Sequence, residues 1–272
     1  MIVLLACALV FMLAVMAAAW AVVRLTANGG WIDVFWTFGT GITGVAVALW
    51  PITGAHAELR QLLVGGLTAV WSLRLGLYIV RRVASHPEDQ RYVRLKHEWG
   101  AAFYRKLLPF MLVQAPVTVL LVASIRAAAA RPRDALGPAD IVGLVILAVA
   151  IAGEALADRQ MRLFKSDPAN QGKVADTGLW SWSRHPNYFF EWLGWLAYPI
   201  IALDLTGAYP AGWLSLLAPL AMYVVLTRLT GVPALEAHML RSKGEAYAAY
   251  QRRTGAFFPR PPRKSPNKEP AA

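Results

Sequence analysis

Four ionisable side chains recur along one stretch of otherwise apolar sequence. Glu154, Asp158 and Arg162 are spaced four residues apart, and Lys165 follows three residues later. A helix turns once in about 3.6 residues, so this spacing predicts that all four share one helical face. Two interpretations stay open: the acids and bases pair with one another at the membrane surface, or they line a polar cleft that reaches into the bilayer.

Two further charges lie inside apolar runs. Asp33 opens a run in the segment Trp31–Trp36, and Arg74 lies well inside another. An ionisable group within a membrane span is costly, which makes it a candidate functional residue. Desolvation favours the neutral form of a carboxyl group, so we predict that Asp33 stays protonated and donates a hydrogen bond. Arg74 is either a counter-ion for Asp33 or Glu154 or part of a polar cleft.

The segment 178–192 has the densest grouping of residues that suit an anionic ligand. Pro186 disfavours helix at His185, and Asn187 is a plausible cap for the helix that follows. The N-terminus of that helix carries partial positive charge, and the planar guanidinium of Arg184 suits phosphate geometry. The five histidines of the chain show no spacing typical of metal ligands. We therefore expect an anion site here and no metal.

The loop 89–99 is dense in charged and aromatic residues. One interpretation is an interfacial helix anchored by Tyr92 and Trp99 at the level of the lipid headgroups. The other is a lid over a cofactor site, with Arg91 and Arg94 facing phosphate.

Composition excludes several protein classes. The 272 residues are 57% hydrophobic and 16% charged, which is more apolar than a soluble domain and incompatible with intrinsic disorder. The single cysteine, Cys7, excludes a disulfide scaffold and a cysteine-based metal site. Because the basic residues lie between apolar runs, the net charge of +11 does not indicate nucleic-acid binding.

These features predict an all-α, polytopic integral membrane protein with seven transmembrane helices. Twenty-two of the 27 Lys and Arg residues fall in one set of loops, which puts the N-terminus outside and the C-terminus in the cytoplasm. We expect four helices within residues 1–137, a three-helix cofactor-binding core over 138–259 and a disordered tail over 260–272. The predicted spans are Met1–Val23, Trp31–Thr53, Leu59–Val80, Phe103–Ile125, Ala139–Leu163, Tyr188–Leu205 and Ala211–Leu229.

Several motifs resemble the membrane reductases related to the steroid 5α-reductases and the sterol C14 and C7 reductases. The most specific is the stretch Arg184–Tyr188 followed by Glu191, and Gly244–Arg253 leading to Phe257–Pro259 matches as well. With the segments 33–36 and 89–92, the chain resembles the bacterial branch of the 5α-reductase group. The resemblance implies an integral protein of the bacterial inner membrane, with seven helices and NADPH bound in a site that faces the cytoplasm.

The same resemblance implies an activity and its residues. The family transfers hydride to the β-carbon of an enone lipid, so we expect a lipophilic substrate such as a 3-oxo-Δ4 steroid, and no nucleic-acid partner. Asp33 is the counterpart of an acid that holds the substrate carbonyl, and Trp71, Tyr78 and Tyr92 are alternatives for its companion. The chain's match to Gly-x-Gly-x-x-Gly, Gly39–Gly44, lies inside the predicted span Trp31–Thr53 and does not follow a strand, so we expect the nucleotide to be held outside a Rossmann framework. The expected cofactor-binding residues are Asp158, Arg162, Lys165, Trp180, Arg184, His185, Asn187, Tyr188, Glu191, Glu236, Tyr247, Tyr250 and Arg253.

A second interpretation stays open. Membrane methyltransferases that use S-adenosylmethionine, such as the isoprenylcysteine carboxyl and phospholipid methyltransferases, also carry an Arg-His-Pro-x-Tyr stretch. The polar face of Asp158, Arg162 and Lys165 favours the reductase. The substrate is left open, because a pocket of Trp, Phe and Leu suits a steroid, a quinone, a fatty enone or a polyprenyl ketone.

Overall fold

A computed structural model describes residues 1–52, 58–132 and 135–262. Within these ranges the regular structure is helical, as predicted, and short 3-10 turns and one π-helical turn lie between the helices. The α-helices are α1 (Ile2–Thr26), α2 (Trp31–Leu49), α3 (Glu58–Ser85), α4 (Gln90–Trp99), α5 (Phe103–Leu112), α6 (Gln114–Ala129), α7 (Pro138–Ser166), α8 (Leu179–Trp182), α9 (Pro186–Trp195), α10 (Ala197–Ala202), α11 (Leu217–Val224), α12 (Val232–Lys243) and α13 (Glu245–Arg253).

Six helical stretches of the described residues are long and apolar enough to cross a membrane, which supports an integral membrane protein. The sixth span of the sequence prediction, Tyr188–Leu205, is instead two short helices, α9 and α10. Neither is long enough to cross the bilayer alone. The predicted seventh span forms part of the longer stretch Pro210–Lys243, where 3-10, α and π turns follow one another.

Local chemistry explains where the shorter helices begin and end. The Asp89 side chain caps α4 by accepting a hydrogen bond from the Arg91 backbone N–H at 2.9 Å. Gly100 ends α4 with a φ of 48°, a left-handed conformation that suits glycine. Helix α9 begins at Pro186, as its fixed φ favours, so Asn187 lies in the first turn and does not cap the helix as predicted.

The described chain packs as two compact units. Unit 1 consists of residues 1–145 and 195–221, and unit 2 consists of residues 146–194 and those from 222 onward. The division predicted between residues 137 and 138 came from counting spans, whereas the packing division falls within α7, and the segment 195–221 packs with the N-terminal helices. Of the predicted tail, residues 263–272 lie outside the described ranges.

Unit 1 has an apolar core in which small residues let helices approach closely. A Cβ atom on Gly76 of α3 would lie 2.5 Å from the Phe38 ring of α2, so the contact requires glycine. The core includes the fully buried side chains Met12, Met16, Ile32, Leu107 and Met111. Beside it, Trp36, Trp71, Trp195 and Tyr198 form a file of rings with successive centroids 6.4, 4.9 and 5.5 Å apart.

Unit 2 is held by an aromatic cluster of its own. The rings of Trp192 and Phe189 on α9 pack against Tyr223, Phe257 and Phe258, with centroid distances of 5.6 to 6.3 Å. The segment that follows α13 is thereby fixed to α9. This packing positions the polar residues that precede α9.

Candidate functional site

A group of charged and phenolic side chains meets at one end of the helices of unit 1. We call it the Asp33 cluster, and its members are Asp33, Arg82, Asp89, Arg91 and Tyr92. Asp33 lies in the first turn of α2, Arg82 in the last turn of α3, and the other three at the start of α4. Asp33 and Tyr92, both predicted as catalytic residues, are therefore brought together.

The carboxylate of Asp33 accepts hydrogen bonds at both oxygens. Arg91 Nη2 donates to Oδ2 at 2.6 Å, and the Tyr92 hydroxyl donates to Oδ1 at 3.0 Å. The Asp33 side chain is 21% exposed and contacts an arginine, and its predicted protonation stays a prediction.

Within this cluster, each of the two arginines contacts both acids. Arg91 also donates to Asp89 at 3.1 and 3.2 Å, and Arg82 Nη2 lies 3.5 Å from one oxygen of each carboxylate. Although burial by itself would raise it, the pKa of Asp89 is lowered by the charge and hydrogen bonds of Arg91 and by the charge of Arg82. The lid interpretation placed Arg91 against phosphate. In the structure, the Arg91 side chain instead contacts both Asp33 and Asp89.

Tyr92 is held tightly within this cluster. Its side chain is 4% exposed and belongs to the apolar core of unit 1. Its ring packs directly on the backbone of Gly29, where an added Cβ would lie 2.3 Å from Cγ. The Gly29 N–H donates to Glu88, and Glu88 pairs with Lys96 at 2.6 Å. The position of the Tyr92 hydroxyl is thus fixed by the packing of its ring on Gly29 and by its hydrogen bond to Asp33.

The other predicted companions of Asp33 lie on α3. Trp71 is buried in the file of rings, in contact with Trp36 and Trp195. Tyr78 lies beneath the guanidinium of Arg74, 5.7 Å from its ring centroid. Among the described residues, Tyr92 is the phenol whose hydroxyl donates to Asp33.

A second polar group lies in unit 2 around the acid of α12. We call it the Glu236 cluster, and its members are Arg184, His185, Glu236, Gln251 and Thr254. Arg184 donates from Nε to Glu236 at 2.6 Å, and from Nη1 to the backbone oxygens of Gln251 and Thr254 at 3.2 and 2.5 Å. Its Nη2 also lies 2.6 Å from Glu236. All three guanidinium nitrogens therefore have protein partners, so Arg184 ties the start of α9 to α12 and α13.

His185 is 1% exposed and has two different ring nitrogens. Nε2 lies 3.2 Å from Glu236, whereas Nδ1 is buried with no hydrogen-bond partner among the described residues. Burial lowers the pKa of His185, although the hydrogen bond and the charge of Glu236 act to raise it. The net lowering of the pKa favours the neutral ring. Neutral imidazole that donates from Nε2 leaves Nδ1 as an acceptor. The ring stacks on Tyr188 at 5.6 Å.

The remaining predicted cofactor residues of the C-terminal segment are structural neighbours of this cluster. Trp180 donates to the Ala157 backbone oxygen at 3.1 Å, and the Tyr250 hydroxyl donates to the Trp180 backbone oxygen. Burial raises the pKa of Tyr250, and burial followed by the charge of Glu236 raises the pKa of Tyr247 to about 12. Arg253 pairs with Asp176 at the surface.

The four ionisable residues of α7 divide by exposure. Glu154 and Asp158 are buried, whereas Arg162 and Lys165 are exposed and form no ion pair or hydrogen bond with any described residue. The interpretation in which the two bases pair with the two acids does not hold in this structure. Farther along unit 2, Glu191 is buried and Asn187 is half-buried.

Comparison with known proteins identifies the family. The profile of the family described as a protein of unknown function, DUF1295, matches residues 19–254. The chain belongs to this family. DUF1295 is a steroid 5α-reductase-like membrane family, which confirms the broader resemblance seen in the sequence.

One curated relative of this DUF1295 protein comes from a yeast. It is the uncharacterized protein C594.04c of Schizosaccharomyces pombe, 25% identical over 275 residues, which cover 89% of this chain and 75% of the relative. No solved structure matches the chain.

Sequence reasoning named Arg91 but missed that Arg82 and Arg91 contact Asp33. Arg82 is 49 residues from Asp33 in the chain and Arg91 is 58 residues away, so no local pattern links them. The available signal was membrane topology. Asp33 and Arg82 lie at the ends of predicted spans and Arg91 lies in a loop, and the predicted topology brings all three to the same side.

Proposed function

We propose that this protein is an NADPH-dependent reductase of the C=C bond of an enone lipid. The observation that carries the proposal is the Asp33 cluster, in which a buried phenol and an acid meet at the end of apolar helices. Membership of a 5α-reductase-like family supports it. The apolar rings of Trp36 and Trp71 on the same helices suit a lipophilic substrate.

The reaction needs a hydrogen-bond donor at the carbonyl oxygen. Addition of hydride at the β-carbon moves negative charge to that oxygen, and a proton then adds at the α-carbon. A donor at the oxygen stabilises the developing enolate in the manner of an oxyanion hole. The Asp33 cluster would supply that donor. The nicotinamide cofactor supplies the hydride when it is bound.

Unit 2 fits a dinucleotide phosphate in two respects. Arg162 and Lys165 are exposed cations with no partner in the part of the chain that the structure describes, so they are free to bind the phosphates of NADPH. His185 Nδ1 is a buried acceptor with no hydrogen-bond partner among the described residues, which suits a ribose hydroxyl or an amide N–H of a ligand. Arg184 is not assigned to phosphate, because Glu236 and backbone oxygens occupy its guanidinium.

Binding of the cofactor tests the proposal. The full chain in mild detergent would be titrated with NADPH, NADH and S-adenosylmethionine. The double variant Arg162→Met and Lys165→Met is expected to weaken NADPH binding by about tenfold or more, since a charge-assisted hydrogen bond is worth about 1.5–3 kcal/mol. Arg105→Met is the matched control, because Arg105 is exposed on α5 and has no partner among the described residues.

Binding of S-adenosylmethionine without binding of NADPH would contradict the reductase. It would favour the methyltransferase that the Arg184–Tyr188 stretch also resembles.

We also propose seven crossings, with the N-terminus outside and the C-terminus in the cytoplasm of a bacterial inner membrane. In this topology, the apolar segment Tyr188–Leu205 is the sixth crossing. The distribution of basic residues supports the orientation. A C-terminal green fluorescent protein fusion is expected to fluoresce and a C-terminal alkaline phosphatase fusion to be inactive. The reverse pattern would overturn the orientation.

A further inference from the structure

An arginine at the end of α1 is held by aromatic rings and not by an acid. Arg24 lies in the last turn of α1, and its guanidinium carbon lies 4.8 Å from the centroid of the Trp20 ring and 5.8 Å from that of Tyr104 on α5. The Arg24 side chain is exposed and forms no ion pair or hydrogen bond with any described residue. The rings thus fix the position of a cation whose N–H groups have no acceptor in the part of the chain that the structure describes.

The two rings are themselves held in place by the fold of unit 1. Trp20 Nε1 donates to the backbone oxygen of Tyr104 at 2.8 Å, which ties α1 to the start of α5. The Tyr104 ring packs edge-on against Phe103, with centroids 5.1 Å apart. Phe103 is buried and belongs to the core of unit 1. The arrangement around Arg24 is therefore anchored in the core.

A guanidinium that is held by rings is well suited to bind phosphate. Its contact with a ring uses the positive charge and consumes no hydrogen bond. The five N–H groups stay available, in a planar fork that matches the oxygens of a phosphate. Because the rings restrict this long side chain, less rotamer entropy is lost when it binds an anion.

The surroundings of Arg24 indicate that the phosphate belongs to a lipid. Helix α1 is 25 residues long and apolar enough to cross a membrane, so its last turn is expected at the bilayer surface. Next to Arg24, Leu25 is 86% exposed, and Ala21 is exposed one turn before it. Tryptophan, tyrosine and arginine at the end of a span are residues that meet lipid headgroups.

The charges nearby favour an anionic headgroup over a zwitterionic one. Glu88 lies 2.6 Å from Lys96, and Glu98 lies 3.4 Å from Arg94. Both acids of the Asp33 cluster contact Arg91. A zwitterionic headgroup brings an ammonium group, and these carboxylates already have cationic partners. A headgroup whose only charge is its phosphate needs the cation alone, as in basic sites that bind anionic lipids at the ends of spans.

We propose that Arg24, Trp20 and Tyr104 form a binding site for a phospholipid with an anionic headgroup, such as phosphatidylglycerol. The phosphate oxygens accept hydrogen bonds from Arg24, and the acyl chains lie along the apolar surface of α1. The site lies within unit 1 and does not depend on the reaction proposed above.

Lipid binding to the full chain tests this site. Native mass spectrometry of the protein in mild detergent would measure its affinity for phosphatidylglycerol and for phosphatidylcholine with the same acyl chains. The wild type should prefer phosphatidylglycerol. Arg24→Met should weaken phosphatidylglycerol binding by about tenfold or more, the value of one charge-assisted hydrogen bond, and should leave phosphatidylcholine binding nearly unchanged.

Two further variants separate a shaped site from general surface charge. Arg24→Lys keeps the charge but loses the planar fork, so its affinity for phosphatidylglycerol should stay below that of the wild type. Arg81→Met is the matched control. Arg81 is an exposed cation near the end of α3, and its side chain has no ion pair or ring contact among the described residues, so its loss should not change the affinity. Thermal unfolding identifies variants that fail to fold, and if Arg24→Met is one of them, Arg24→Lys carries the test.

Several results would overturn the proposal. Equal affinity of the wild type for the two lipids, or wild-type affinity in Arg24→Lys, would contradict a shaped site for an anionic lipid. An equal loss in Arg81→Met would assign the binding to general surface charge. Displacement of phosphatidylglycerol by inorganic phosphate at equal concentration would assign Arg24 to a free anion and not to a lipid.

Discussion

Arginines of other helices lie at both ends of helix α2, but they have different partners. Near the first turn of α2, Arg91 and Arg82 are 33% and 38% exposed and contact the carboxylates of Asp33 and Asp89. Near its last turn, Arg126 is buried and donates to the backbone oxygens of Val47 and Trp50 at 3.2 and 2.7 Å.

Two more buried arginines of unit 1 bind backbone oxygens in the same way. Arg60, 2% exposed, pairs with Asp140 at 2.8 Å and donates to the backbone oxygens of Arg131 and Ala135. Arg131 in turn donates to the Ile201 backbone oxygen at 2.7 Å. These contacts satisfy carbonyl groups that helix ends and loops leave unpaired.

This difference separates a structural use of arginine from a chemical one. At the buried end, the arginines bind backbone carbonyls and, in the case of Arg60, a buried carboxylate, and these contacts fix the fold. At the Asp33 cluster, two partly exposed arginines contact carboxylates, and a phenol that we propose contacts substrate donates to one of them. The buried end of unit 1 should therefore respond to mutation in stability, and the Asp33 cluster should respond in activity.

The largest expected effect is a loss of stability on mutation of the buried end of unit 1. Asp140→Leu leaves the guanidinium of Arg60 buried without its counter-ion, and removal of one partner of such a pair costs about 3–5 kcal/mol. Equilibrium unfolding in detergent and urea measures this loss. The double variant Arg60→Met with Asp140→Leu should be more stable than Asp140→Leu alone. A double variant that is less stable than the single one would contradict a buried ion pair.

The next effect extends the comparison to unit 2. Arg184 resembles the buried arginines, since it is 10% exposed and binds Glu236 and two backbone oxygens. Arg184→Met is expected to lower the free energy of unfolding by about 2–3 kcal/mol, through loss of charge-assisted hydrogen bonds. An unchanged stability together with lost NADPH binding would show instead that Arg184 grips phosphate.

A smaller effect on stability is expected at the Asp33 cluster. Gly29→Ala places a Cβ atom 2.3 Å from the Tyr92 ring, so the ring must shift, and such overpacking costs about 1–3 kcal/mol. Because the variant displaces the hydroxyl without removing it, kcat should fall at an unchanged yield of folded protein. Wild-type kcat in folded Gly29→Ala would refute a fixed position for Tyr92.

The smallest effect is a dependence of stability on pH. The pKa of His185 in the folded protein is lowered by burial, so the unfolded chain binds the proton first as the pH falls. The contribution of His185 to the free energy of unfolding should be fully present above about pH 6.5 and should be lost below it. The loss is about 1.4 kcal/mol for each unit by which folding lowers the pKa of His185. The pKa of Asp89 is also lowered, but its contribution is lost only near and below pH 4. Unfolding curves at pH 5 and pH 7 that coincide would contradict a neutral His185.

Hydropathy and local spacing made much of the fold predictable. Apolar runs of about 20 residues located the long helices, whereas the start of α9 was predicted after an Asn187 cap and lies at Pro186. The break between α9 and α10 was not predicted, because the run Tyr188–Leu205 is apolar throughout and hydropathy does not register where a helix is interrupted.

The candidate site was predictable by residue but not by pairing. Asp33 and Tyr92 stood out as a charge in an apolar run and as an aromatic residue in a charged loop. Their contact, the ion pair of Arg91 with Asp33 and the ion pair of Arg184 with Glu236 join segments more than 50 residues apart. Such contacts depend on how helices pack, and sequence periodicity carries no information about them.

Transfer of deuterium tests the central claim most directly. The purified chain in detergent would be incubated with a 3-oxo-Δ4 steroid and NADPH that carries deuterium at C4 of the nicotinamide, each face labelled in turn. With one of the two labels, the account predicts a saturated ketone that carries one deuterium at the β-carbon, detected by mass spectrometry and NMR. A Tyr92→Phe variant should bind NADPH and form this product about 10²–10³ times more slowly. Label at the carbonyl carbon would contradict C=C reduction, and transfer of a methyl group from S-adenosylmethionine in place of any hydride would contradict the reductase altogether.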